Sequence, residues 1–98
     1  MKANILETIG AGRILVSDGA WGTFLQQRGL PPGQCPELWC VERPADVLDV
    51  ARSYVEAGVD MLETNSFGGN RFKLEHYGLG QRAAELNEAA ARISREAA

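Results

Sequence analysis

Most of what would place this chain in a membrane, on nucleic acid or in an oxidising compartment is missing from it. No apolar run approaches the ~20 residues of a membrane span. The first ten residues alternate polar and apolar and include Glu7, so they lack the apolar core of a signal peptide. Basic residues are in the minority, 10 against 13 acidic ones, and they do not cluster. The resulting net charge of −3 argues against nucleic acid or an anionic membrane as the main partner. The cytoplasm is the default location. Only two cysteines occur, Cys35 and Cys40, too few for a disulfide framework. With the one histidine, His76, they offer three potential zinc ligands, but nothing in the spacing brings His76 to the cysteines. Buried or half-exposed thiols are the expectation, and no metal site is assigned.

What remains is ordinary globular composition, 45% hydrophobic and 23% charged, in 98 residues. That length holds one small domain at most. Its organising stretch is Ile14-Leu-Val-Ser-Asp-Gly-Ala-Trp-Gly-Thr23. Three apolar residues suit a strand buried on both faces. Ser17 and Asp18 end it, Gly19 permits a sharp turn, and a helix begins near Gly22. An acidic side chain therefore sits at the carboxyl end of a strand, beside the first turn of a helix. In α/β proteins ligands bind at such places.

The rest of the chain repeats this order. Asn4 suits the cap of a short helix ended by Gly10 or Gly12, and the helix from Gly22 stops at Gly29. Residues 30–36 read as a surface loop, and residues 37–41 as a single turn whose Leu38 and Trp39 fold back onto the body. Pro44 opens a helix to Ala57 with an apolar stripe of Val47, Leu48, Ala51, Tyr54 and Val55. A second strand is expected at 59–63, a second glycine turn at 64–70, a short helix at 71–77 and a last helix at 81–97. The last helix presents Ala83, Leu86, Ala90, Ile93 and Ala97 to the core. The expected fold class is α/β, with two successive β/α units and parallel strands. Two strands do not make a stable sheet, and a (β/α)8 TIM barrel needs about 250 residues. The expectation is thus the first two units of such a barrel, incomplete in this chain, with residues 1–98 as its amino-terminal part.

The pair Asp18-Gly-Ala-Trp-Gly-Thr23 and Glu63-Thr-Asn-Ser-Phe-Gly-Gly-Asn70 resembles the homocysteine S-methyltransferases. Pro36-Glu-Leu38, Pro44 with its helix, Tyr54-Val-Glu-Ala-Gly-Val-Asp60 and Asn70-Arg-Phe-Lys-Leu74 extend the likeness over essentially the whole chain. Trp21 departs from it, standing where many members carry another large apolar residue. The resemblance implies a TIM barrel and methyl transfer to the homocysteine thiol to give methionine. It also implies a zinc held by three cysteine thiolates, two of them in a Gly-Gly-Cys-Cys-type motif that this chain does not contain. The methyl donor is left open; cobalamin serves as methyl carrier in some members. By the same likeness no catalytic residue is assigned, and the chain alone is expected to be inactive.

Under that resemblance the substrate-binding residues are Asp18, Gly19, Ala20, Thr23, Asn65 and Phe67. Asp18 suits the substrate ammonium. The N–H groups of Gly19, Ala20 and Thr23 suit its carboxylate. Asn65 and Phe67 would line the same pocket, and Glu63 would orient neighbours. Each has a plainer reading. Asp18 suits a helix cap, Asn65 a turn, and Phe67 core packing. Three rivals stand beside the enzyme: a fragment of a different barrel enzyme; a non-catalytic binding or interaction module completed by the rest of a barrel or by self-association; and a poorly folding remnant.

Overall fold

The computed structural model describes residues 4–98. Asn4 opens α1 (Ile5–Gly10) by accepting the Leu6 and Glu7 N–H groups at 2.8 and 3.3 Å. A first turn cannot satisfy those donors internally. After an extended segment comes α2 (Gly22–Gln27), then a 3-10 turn (Pro36–Leu38) that runs into α3 (Trp39–Glu42). The long α4 (Pro44–Ala57) starts on a proline, whose missing N–H is no loss there. It ends on Gly58 at φ 98°, a left-handed cap that side-chain-bearing residues resist. Asn70 caps α5 (Arg71–Glu75) through the Lys73 N–H at 2.9 Å. A second 3-10 turn (Gly80–Arg82) leads into α6 (Ala83–Ala97).

The core lies where α4, α6 and α3 meet. Leu25, Trp39, Val47, Val50, Ala90 and Ile93 belong to one buried cluster, and Cys35, Leu74 and Leu86 form a smaller one. On α4 the buried residues are Val47, Val50 and Ala51, while Val55 is 37% exposed. The stripe read from the sequence therefore missed Val50 and overstated Val55. Packing on two sides, against α3 and α6, widens and rotates the buried arc.

The α/β expectation is overturned. The described residues contain no strand, and 59% of them are helical, so the two β/α units are not there. The segments at 13–17 and 59–63 do run side by side, but they meet at one isolated parallel bridge between Ser17 and Met61. The Val16 carbonyl accepts from both the Asp60 and the Met61 N–H, at 2.7 and 3.1 Å, and the Asp18 N–H donates to the Met61 carbonyl at 3.2 Å. There the ladder stops. Asp60 Oδ2 takes the Val16 N–H at 3.0 Å, while Oδ1 pairs with Arg13 at 2.6 Å. A carboxylate thus occupies the donor that would carry pairing further. Among the described residues no third segment bridges to the pair, and Ile14 and Val16 are 86% and 56% exposed. Parallel pairing persists only where neighbouring strands and covering layers support it.

This one-sided core leaves the molecule elongated, with extents of 45 × 25 × 19 Å. Its radius of gyration, 14.6 Å, exceeds the roughly 13 Å of a compact domain of about 100 residues. No helix among the described residues is long and apolar enough to cross a membrane.

Candidate functional site

Past the bridge, the turn after Ser17 and the turn after Leu62 close on a cleft of about 700 Å³. Asp18 joins them. It is 8% exposed, and its carboxylate accepts from three donors. Oδ1 takes the Ser17 hydroxyl at 3.0 Å and the Glu63 N–H at 2.9 Å, and Oδ2 takes the Trp21 indole N–H at 2.8 Å. Tyr54, from α4, donates its hydroxyl to the Ala20 carbonyl at 2.6 Å, which fixes the first turn from below. Burial, followed by the nearby Asp18 charge, raises the Tyr54 pKa, so the phenol stays a donor.

The second turn is held from α6. Ser94 donates to the Glu63 carbonyl at 2.7 Å, and Asn87 Nδ2 donates to the Gly69 carbonyl at 2.5 Å. A Cβ on residue 69 would stand 2.7 Å from Asn87 Oδ1 and 3.0 Å from the Ser66 carbonyl oxygen, so any side chain there would displace the Asn87 amide from its grip. Within the turn the Thr64 and Ser66 hydroxyls bond each other.

Of the six residues singled out in the sequence, Gly19, Ala20, Asn65 and Phe67 line this cleft. Asp18 lies just behind its wall as the brace between the two turns. Thr23 is exposed on α2 and does not line it. Asn65 is 3% exposed; its Nδ2 donates to the Pro36 carbonyl at 2.9 Å and to Cys40 Sγ at 3.4 Å. Phe67 is 93% exposed and carries the Lys73 ammonium 5.0 Å above its ring. The cleft also takes in Trp21, Glu37, Leu62 and Glu63. Glu37 was missed as a site residue, although it sits inside the Pro36-Glu-Leu38 motif. An acid following a proline reads as an ordinary first-turn residue, and its burial depends on a turn 31 positions away.

A family model for homocysteine S-methyltransferase matches residues 15–98, which includes both turns and every residue lining the cleft. The chain belongs to the homocysteine S-methyltransferase family. Among curated relatives, the methionine synthase of Mycobacterium leprae (strain TN) is 39% identical over 97% of this chain, and that of Mycobacterium tuberculosis (strain ATCC 25618 / H37Rv) 40% over 88%. Betaine–homocysteine S-methyltransferase 1 of Danio rerio is 31% identical over 99% of it. The aligned region spans 8% of each mycobacterial protein and 25% of the fish protein. These relatives are methyltransferases that act at homocysteine or make methionine, by name.

The zinc implied by the family resemblance finds no fit among the described residues. No group of three His, Cys, Asp or Glu among the described residues is arranged to hold a metal ion. A cysteine binds zinc as its thiolate. Burial pushes the Cys40 thiol up to about 11, and its proton is directed to the Asn65 carbonyl at 3.6 Å. Cys35 is likewise raised by burial and donates to Glu37 Oε1 at 3.4 Å. Both cysteines are free, buried thiols serving as packing and weak donors.

Proposed function

We propose that the cleft between the two turns is a homocysteine site, and that the chain serves a homocysteine S-methyltransferase that converts homocysteine to methionine. One observation carries this. Buried Asp18 ties the two family motifs together, so that residues from both wall a single cavity. Homocysteine brings an ammonium, a carboxylate and a thiol. The Gly19 N–H faces the Tyr54 hydroxyl oxygen, whereas the Ala20 N–H has no acceptor among the described residues and is available to the carboxylate. Asp18 keeps one acceptor position on Oδ2 for the ammonium. Asn65 and Phe67 line the same cleft.

Methyl transfer needs the substrate as thiolate. None of the described residues supplies a metal site or a free cation in the cleft to stabilise one. Binding without turnover is therefore the expected behaviour of the 98-residue chain, the metal half of the chemistry lying in other polypeptide. Titration of the 15N-labelled chain with L-homocysteine under reducing conditions tests the reading. Saturable shifts at the Gly19, Ala20 and Asn65 amides are expected. Absence of shifts, or shifts confined to other surfaces, would overturn it.

A further inference from the structure

The cleft holds a second buried carboxylate, one that touches the second turn at Gly68 and takes no part in the Asp18 brace. Glu37, on the 3-10 turn, is 6% exposed and lines the cavity. Its Oε2 accepts the Gly68 N–H at 3.0 Å, and its Oε1 accepts the Cys35 thiol, a weak donor, at 3.4 Å. Neither donor is charged, and Glu37 has no ion pair among the described residues. Lys73 lines the smaller hollow on the far side of Glu37, but its ammonium sits over the Phe67 ring. An ionised carboxylate buried without a cation is costly unless something arrives to pair with it.

Asn65 adds an acceptor on the same wall. Its Nδ2 is spent on Pro36 and Cys40, whereas its Oδ1 accepts no hydrogen bond from the described protein. No Lys, Arg or His lines the cleft. An ammonium brings three N–H donors, more than the one position left on Asp18 can take. We propose that Glu37, with Asn65 Oδ1 on the same wall, receives the substrate ammonium and makes the cleft select amino-bearing thiols over desamino ones. This rests on the reading of the cleft as a homocysteine site. Glu37 completes its own coordination when the ligand enters, so its charge acts on affinity directly and not through the shape of the turn.

The test compares L-homocysteine with 4-mercaptobutanoate, which keeps the thiol and carboxylate and lacks the ammonium. Both are titrated against the wild-type chain and Glu37→Gln, which preserves shape and an acceptor for Gly68. The variant is expected to lose at least about tenfold in homocysteine affinity and to bind 4-mercaptobutanoate no more weakly than wild type. Unchanged homocysteine affinity, or an equal loss for both ligands, would overturn the proposal while leaving the homocysteine site standing. A wild-type chain that binds neither ligand would overturn both readings. Should Glu37→Gln not fold, the wild-type Glu37 carboxyl 13C resonance decides. It should move with homocysteine and stay put with 4-mercaptobutanoate; a resonance indifferent to both overturns the assignment.

Discussion

Val47, Val50 and Ala90 are at most 2% exposed in the cluster where α4 and α6 pack, whereas Ile14, an equally apolar residue in the first extended segment, is 86% exposed. The chemistry of the side chains is the same; the backbone makes the difference. A helix satisfies its own N–H and C=O groups, so α4 and α6 need only one apolar face each to find one another. An extended segment must borrow partners from other segments, and among the described residues the 13–17 and 59–63 stretches share a single isolated bridge. Where both partners are local the core closes. Where they must come from elsewhere, apolar side chains remain in solvent.

Three measurements bear on that contrast. Leu25 is fully buried in the larger cluster, and Leu25→Ala should destabilise the chain by about 2–5 kcal/mol in urea unfolding, through lost transfer energy and the cavity left behind. A loss well below that range would mean that the helical side is loose as well. The alkaline response is smaller. The folded state holds the Cys40 proton to about 11, above its ordinary value of 9.0, while the unfolded chain releases it near that ordinary value. The Cys40 contribution is therefore complete below pH 9 and is lost as pH climbs toward 11. Unfolding curves of wild type and Cys40→Ala across that window should show the steeper alkaline loss in wild type only. Smallest of all, Ile14→Ala should shift stability by less than about 0.5 kcal/mol, as for an exposed position without partners. A large effect there would break the comparison, because it would show that the extended segment is covered in solution.

The same division decides how far the residues alone could be read. Pro44 and Gly58 bracket α4 where expected, since a proline start and a left-handed glycine cap are local devices. The Asn4 and Asn70 caps were equally local, although only Asn4 was assigned from the sequence. The 14–16 run has the composition of a strand, but strand formation depends on neighbours that composition does not report. Asp18 stood out in the sequence from the resemblance and from its place between Ser17 and Gly19. That three donors converge on it, one of them the Glu63 N–H 45 positions away, was not. Burial of Glu37 is of the same kind, because Gly68 and Cys35 make it what it is.

Two side chains of α6, Asn87 and Ser94, grip the second turn near its two ends, at Gly69 and Glu63. They lie two helical turns apart, so the spacing between the grips is inherited from the pitch of a rigid rod. The cleft wall thus behaves like a string stretched between two pegs on a neck. Its tension is set by a helix that contributes none of the lining residues. Fraying of α6 back past Ser94 would slacken the wall without altering a single atom that a ligand touches. Changes far along the chain would then register as lost affinity, ahead of any change in the pocket's own composition.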